Sequence, residues 1–384
     1  MLVPFYVAGH DRLRIAIVGG GYAGLAALEA LCEHRPDAEI ALIDPRSHHL
    51  KISHLHETFR RPLTDFQVSF QALEKRFNMR HIQEALEFDE STVRQWNRDR
   101  RLDVGNQTVA FDFLLMATGA QSKLVEKGPQ ILDLSDFIAS GGPELLEKHI
   151  ANAGSNEPWL TVVGCGATGV QFLFEIAHHL RARKISCTLR LVDGGAEPLE
   201  QFHSKMGRYV KSRLDDLSIE YRPNCRFLAQ EPGLLVVEDR ETDEVMELPS
   251  DLSLLFIGKD PVLRFETNWF GQIVTHGETL DRVFTAGDCS RYRGVGSNAM
   301  SAQSAVRKGR LVARNILRAA GPLKIMEPYL HRELGYVISM GPSDAIGWLG
   351  FESNVVAGLP AGLAKEVIEA QYDLLLAGID TYVL

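Results

Sequence analysis

RIAIVGGGYAG, residues 14–24, is the stretch from which the rest of the chain takes its bearings. Ile15, Ala16, Ile17 and Val18 form a short, β-branched apolar run of the kind that makes a buried parallel strand, and Gly19, Gly21 and Gly24 follow at G-x-G-x-x-G spacing. Gly19 permits a tight turn, Gly21 lets a pyrophosphate approach the backbone, and Gly24 lets the next helix lie close on the strand. The free N–H groups at that helix start then face an anion. Outward from this turn, residues 23–34 read as the helix and EIALID, residues 39–44, as the next strand of a β-α-β unit. That strand ends in Asp44, where a carboxylate meets a ribose 2′-hydroxyl.

At 384 residues the chain exceeds one comfortable core, and two or three domains are expected. Lys and Arg total 41 against 50 Asp and Glu, a net charge of −9 that gives no attraction toward nucleic acid or anionic lipid. The five cysteines (Cys32, Cys165, Cys187, Cys225 and Cys289) are scattered, with neither C-x-x-C pairing nor zinc spacing, as expected of reduced cytosolic thiols. Residues 1–12 lack a basic leader, and no run approaches the ~20 apolar residues of a membrane span. The chain therefore reads as neither exported nor transmembrane.

Further along, SHHLKISHLHE, residues 47–57, gathers His48, His49, His54 and His56 around Lys51. Without a cysteine or a helical H-x-x-x-H face, no metal is assigned. The two remaining readings are a loop crossing a cofactor, with Lys51 and the imidazoles near phosphate or flavin, and a polar surface loop. Residues 66–77 have helical spacing, residues 80–109 read as an antiparallel meander, and 113–116 as a buried strand stopping at Ala117, Thr118 and Gly119. Residues 128–158 read as a crossing between domains, with a helix at 143–150. The opening pattern then repeats. Residues 159–163 form a strand, Gly164, Gly166 and Gly169 restore the spacing, a helix runs to about residue 183, and SCTLRLVD ends in Asp193. A meander at 225–248 and the strand LSLLFIG, residues 252–258, complete an internal duplication. RVFTAGDCS, residues 282–290, is a short strand ending in Gly287 and Asp288, followed by a helix at 300–320. From residue 325 onward YVISMG, AIGWLGF and a helix at 361–376 suggest a small α+β domain. The last helix has an apolar side, and Glu366, Glu369 and Asp373 against a single Lys365 favour docking on protein over lipid.

GGGYAG with Asp44, FDFLLMATGA, VVGCGATGV, TAGDCS and SAQSAVRKGRLVARNI together resemble the two-dinucleotide flavoproteins, the pyridine nucleotide-disulfide oxidoreductase-like superfamily. Type II NADH dehydrogenases and apoptosis-inducing-factor-like quinone reductases are the nearest subclasses. The resemblance implies FAD in the first glycine unit and NADH in the second, with Asp288 on the ribityl chain. Ala302 and Gln303 match the quinone-side helix of type II dehydrogenases. Three departures stand out. The family's glutamate after Thr-Gly-Val is Gln171 here, an amide that cannot take up a proton as a carboxylate can, with Glu175 one helical turn on. The membrane-binding C-terminal extension of type II dehydrogenases has no counterpart. The cysteine pairs of disulfide reductases and sulfide:quinone reductases are absent from the pattern, and Cys289 reads as a small buried residue.

The expected architecture is α/β, with two Rossmann-like dinucleotide-binding domains, each with a β-meander, and a small C-terminal α+β domain. Residues 1–125 and 265–324 would bind FAD, 126–264 would bind NADH, and 325–384 would form an interface domain. The expected activity is an FAD-dependent NADH oxidoreductase passing two electrons to a quinone-like acceptor. A reductase of a small ferredoxin- or rubredoxin-type protein and a low-turnover flavoprotein redox sensor stand as alternatives. Gly19, Gly21, Gly24, Asp44, Lys51, Thr118, Gly119 and Asp288 are the expected FAD residues. Gly164, Gly166, Gly169 and Asp193 are those for NADH, which the absence of an arginine after Asp193 favours over NADPH. Gln171, Glu175, Ser301 and Gln303 are the catalytic candidates. A cytoplasmic protein, or one peripheral on the inner face of a membrane, fits the composition, and a homodimer is left open.

Overall fold

The computed structural model describes residues 12–123, 126–153, 157–322 and 324–381. Residues 1–11, where no leader was read, lie outside the described residues. The apolar run after Arg14 becomes the strand Arg14–Val18, buried from Ile15 onward and parallel to Glu39–Ile43 on one side and Phe113–Met116 on the other. Burial on both faces is what a continuous, rather than alternating, apolar run requires. Eight strands make this first sheet, in the order Ser290–Tyr292, Phe265–Thr267, Gln272–Thr275, Glu278–Thr285, Phe113–Met116, Arg14–Val18, Glu39–Ile43 and Arg80–Ile82. Four of the eight come from the far end of the chain. Glu278–Thr285 runs parallel to Phe113–Met116, which sets the turn bearing Asp288 beside the one bearing Thr118.

The helix Tyr22–His34 is buried at every residue from Ala23 to Leu31, because the sheet covers one side and the long helix Ala302–Ala320 the other. Gly309 makes that approach possible, since a Cβ there would lie 2.2 Å from the Ala23 carbonyl oxygen. The second sheet is parallel throughout, ordered Ile131–Asp133, Leu252–Leu255, Trp159–Val163, Thr188–Val192 and Glu220–Arg222. Beside it lies the antiparallel meander Cys225–Glu231, Leu234–Asp239 and Val245–Pro249. Near the C-terminus, Gly335–Ser339, Ala345–Leu349 and Val355–Ala357 form a third, antiparallel sheet. The helix Leu359–Leu376 packs on that sheet and also touches Tyr22–His34. Buried Leu375 and Leu376, at about 2 kcal/mol each, help to hold it down.

The α/β class and the duplication are present as expected, with local differences. Within 66–77 only Phe70–Phe77 is helical, and Gln67–Ser69 pairs antiparallel with His48–Leu50. Residues 80–109 are not a meander. Arg80–Ile82 joins the first sheet, Glu90–Asp99 is a helix, and a single hairpin, Arg101–Val104 with Gln107–Ala110, follows. Asp89, Glu90 and Ser91, within the stretch expected to be a meander, are a helix start, with Asp89 accepting the Thr92 N–H at 2.7 Å and Val93 and Trp96 buried on one face. The crossing at 128–158 also does more than connect, because Ile131–Asp133 forms an edge of the second sheet and Leu134–Ser140 follows it with a capping box.

Candidate functional site

The two glycine turns are built alike. Gly19 has φ +107°, and a Cβ on it would lie 2.2 Å from the Ala117 carbonyl oxygen. Gly164 has φ +105° and would meet the Phe256 carbonyl oxygen at 2.4 Å. One helical turn on, Gly24 and Gly169 press against the carbonyl oxygens of Gly19 and Gly164, where a Cβ would come to 2.0 and 1.8 Å. Only glycine allows either helix so near its strand. Gly21 and Gly166 cap the helices Tyr22–His34 and Ala167–Arg183, and space beyond Gly21 is open.

The two acids repeat the correspondence. Asp44 accepts the N–H of Gly20 at 2.7 Å and of Arg46 at 2.9 Å. Asp193 accepts the N–H of Cys165 at 2.5 Å and of Gly195 at 2.7 Å. Each carboxylate thus locks the second residue of its own glycine turn, and each stands at the end of the adjacent strand. The units differ two residues after the acid. Arg46 forks onto Asp44 through Nε at 2.9 Å and Nη2 at 2.8 Å. Burial pushes the Asp44 carboxyl up, but the Arg46 guanidinium and the N–H donors overcome it and hold it below its ordinary value. At Gly195 a Cβ would meet the Glu200 carboxylate at 2.6 Å, so that corner is acidic and closed to a side chain. Arg240, from the meander, donates to the Gly194 carbonyl oxygen at 2.8 Å.

Thr118 and Gly119 lie just past Phe113–Met116, with open space over Gly119. Gly287, at φ +84°, brings its neighbour Asp288 up to the first helix, since a Cβ on Gly287 would lie 3.0 Å from the Ala23 Cβ. The Lys259 ammonium sits 3.2 Å from the Asp288 carboxylate. Lys259 also lines a cavity of about 260 Å³, together with Gly166, Ala167 and Thr168 of the second turn, Phe256 and Met300. This cavity therefore has a glycine-turn helix start on one side and the partner of Asp288 on another.

The other expected residues are placed less uniformly. Lys51 is ion-paired with Asp373 of the helix Leu359–Leu376 rather than left free for phosphate. Gln171 is half-buried on Ala167–Arg183 and is not among the residues lining the cavity. Glu175 is 1 % exposed and takes a two-point ion pair from Arg60 at 2.8 and 3.1 Å. Burial dominates even so, and pushes its carboxyl up to about 7. Ser301 caps Ala302–Ala320 by accepting the Ser304 N–H, and Gln303 is half-buried in the first turn of that helix. Cys289 is fully buried, as read.

The histidine loop divides by role. Buried His49 joins the Gly20 carbonyl oxygen to the Tyr372 hydroxyl, both at 3.0 Å, and burial pushes its pKa down to about 3, so it stays neutral. His54, Glu57 and Glu369 lie close together as metal ligands do. There the Lys365 ammonium pairs with both carboxylates, so the positive charge comes from the chain itself. Composition alone singled out none of Arg60, Glu57 or Lys259. Lys365, one cation on an acidic and apolar helix, was the single visible sign of this network.

Residues 13–309 match the family described as pyridine nucleotide-disulphide oxidoreductase. A type II NADH:quinone oxidoreductase of Staphylococcus aureus is 26% identical over 408 residues, covering 96% of this chain and 97% of that protein. Among solved structures, the sulfide:quinone oxidoreductase of Aquifex aeolicus is similar with a TM-score of 0.78 at 16% identity, covering 96% of this chain and 92% of that one. The NDH2 of Plasmodium falciparum solved with NADH has a TM-score of 0.75 at 14% identity, covering 93% and 94%.

Proposed function

This chain belongs to the pyridine nucleotide-disulphide oxidoreductase family, and on that premise we propose that it is an FAD-dependent NADH:quinone oxidoreductase. The observation that carries the reading is the matched pair of glycine turns, each held by an acid at its strand end, in a chain aligned nearly end to end with a type II NADH:quinone oxidoreductase. One unit holds a resident flavin and the other a diffusing nicotinamide. Both turns fit a dinucleotide on their own chemistry, since glycines stand where a Cβ would collide and open helix N-termini face the pyrophosphate side. The proposed units are residues 1–125 with 265–324, residues 126–264, and residues 325–384. Support comes from the first sheet, which draws its described strands from 14–116 and 265–292, while the second draws on 131–255.

In this reading Gly19, Gly21, Gly24 and Asp44 hold the ADP half of FAD, Thr118 and Gly119 border it, and Asp288 fixes the ribityl chain. Bound FAD supplies a two-electron carrier that takes hydride from NADH and returns electrons singly or in pairs. Gly164, Gly166 and Gly169 seat the NADH pyrophosphate, and Asp193 with Glu200 repels a 2′-phosphate, so NADH is preferred. No side-chain nucleophile is needed. Ser301 and Gln303 face the acceptor side, and Gln171 orients the nicotinamide through its amide without taking a proton.

No helix among the described residues is long and apolar enough to cross a membrane. Although the acids of the last helix led to an expectation of docking on protein, Glu369 and Asp373 are drawn into ion pairs with Lys365 and Lys51, and we place the protein peripherally on a membrane surface, where a lipid-soluble quinone resides. Exposed Leu359, Leu363 and Val367 stand at successive helical turns of Leu359–Leu376, and exposed Phe351 lies in the turn between Ala345–Leu349 and Val355–Ala357.

The test is an absorbance spectrum of the purified protein, anaerobic titration with NADH, and an acceptor screen. A flavin band that bleaches with one equivalent of NADH and recovers with a short-chain quinone is expected. Fast recovery with a small iron–sulfur protein and none with quinone would replace the quinone by a redox protein. A long-lived reduced state unreactive to every acceptor would favour a sensor.

A further inference from the structure

Behind the start of the helix Ala302–Ala320 lies a polar cluster that the preceding assignment leaves unused. Glu333, from the segment leading into the C-terminal sheet, accepts the Ser297 hydroxyl at 3.1 Å and the Ser301 hydroxyl at 3.4 Å on one oxygen. Its other oxygen is buried and has no hydrogen-bond partner. Ser301 follows Met300, which lines the cavity, and caps the helix whose first turn carries Gln303, so the carboxyl is linked to the helix start assigned to the acceptor side. Tyr336, close enough to Glu333 and Asp288 to feel both charges, ties the cluster to the FAD side of the site.

Quinone reduction sets a demand that this cluster meets. NADH, one proton and quinone give NAD⁺ and quinol. The nicotinamide contributes two electrons and one proton as hydride, so one more proton has to come from the protein or from water. On the reading of the preceding subsection, we propose that Glu333 supplies that proton through Ser301. With the Glu333 proton on the oxygen that faces Ser301 and the hydroxyl rotated away from it, the Ser301 O–H bond breaks as its proton moves to the quinone oxygen, and the Glu333 carboxyl proton replaces it on Ser301 Oγ. The Glu333 carboxylate is then reprotonated from water.

Charge around Glu333 suits a group that cycles between forms. Burial raises its pKa from 4.5, opposed by the two serine hydroxyls and by Lys308 and Arg307 of the helix. Tyr329 and Tyr336 face it from the flanking segment and the first strand of the C-terminal sheet. Lys308 is itself 1 % exposed, with its ammonium against the Ser290 carbonyl oxygen, the Asn298 side chain and the faces of Tyr292 and Tyr329. Burial brings it down to about 8, so it stays charged near neutrality and steadies the carboxylate after proton loss.

The test compares Glu333→Gln with the parent holoenzyme, using ubiquinone-1, whose reduction consumes protons, and ferricyanide, whose reduction does not. Positioned proton donors contribute on the order of a hundredfold or more, so the quotient of ubiquinone-1 to ferricyanide turnover should fall by about that factor. The decline of parent quinone turnover as pH rises through the Glu333 pKa should vanish in the variant. Glu333→Asp should restore part of the quotient, and it is the variant to use if the amide does not fold with flavin. Equal loss with both acceptors would mean a merely structural role and overturn the proposal, as would an unchanged quotient. A parent enzyme that reduces ferricyanide and no quinone would instead refute the activity assigned above.

Discussion

Replacing Glu175 by Gln should change how stability depends on pH. Glu175 is 1 % exposed, and burial outweighs Arg60 to lift its carboxyl from an ordinary 4.5 to about 7. At about 1.4 kcal/mol per pH unit, this corresponds to about 3 kcal/mol. Because the folded pKa is the higher one, folded and unfolded forms are both protonated below about 4.5, and the group contributes no penalty there. Between 4.5 and about 7 the unfolded chain ionises first and draws the equilibrium toward itself, so the stability present at low pH is lost as pH rises through this window. Glutamine does not titrate, and its amide oxygen still accepts from Arg60, which is partly exposed and can also reach water. The FAD-loaded variant should therefore gain about 3 kcal/mol relative to the parent between pH 4.5 and pH 8. Urea unfolding followed by tryptophan fluorescence would show this as a midpoint difference of about 1 M at pH 8 that closes at pH 4.5. A gap that stays constant with pH, or a variant weaker at pH 8, would refute the reasoning.

Three more outcomes bear on the nucleotide sites. Asp193→Ala removes the acceptor of the Cys165 and Gly195 N–H groups as well as the charge proposed to repel a 2′-phosphate. The NADH to NADPH ratio of kcat/KM should narrow by about tenfold, and an unchanged ratio would count against the assignment. Asp288→Ala frees Lys259 and should lower the FAD content of the purified protein, measured by absorbance; full occupancy would reject the ribityl role. Gly169→Ala puts a Cβ 1.8 Å from the Gly164 carbonyl oxygen and should raise KM for NADH about tenfold or more with FAD retained. An unaltered KM would show that the second turn is not where NADH binds.

What could be read from residues alone was whatever is encoded locally. Gly19 and Gly24 appear at fixed spacing because backbone crowding leaves no alternative, and the acids Asp44 and Asp193 end their strands in plain view. The helix Glu90–Asp99 was missed because Asp89 and Ser91 belong equally to caps and to turns, and only Val93 and Trp96 marked a buried face. For Lys51, expected near phosphate or flavin, the ion-pair partner Asp373 could not be read from the sequence, since it lies on the last helix, more than three hundred residues along the chain. Arg60 with Glu175, Lys365 with Glu57 and Ser301 with Glu333 escaped for the same reason. Each pair is brought together by tertiary packing between elements, and even where one member stood out, as Lys365, Glu175 and Ser301 did, nothing near it in sequence names its partner.

The strand Glu278–Thr285 pairs with Phe113–Met116, and Ala302–Ala320 covers Tyr22–His34. During synthesis, then, the first glycine turn leaves the ribosome early yet waits for nearly the whole chain before its sheet and helix are closed. At ordinary elongation rates that wait is roughly ten seconds or more. The second sheet, drawn from residues 131–255, can be completed in the meantime. Until then the apolar helix Tyr22–His34 is uncovered, a natural client for a chaperone, and the turn made first is among the last parts of the protein to become able to hold its ligand.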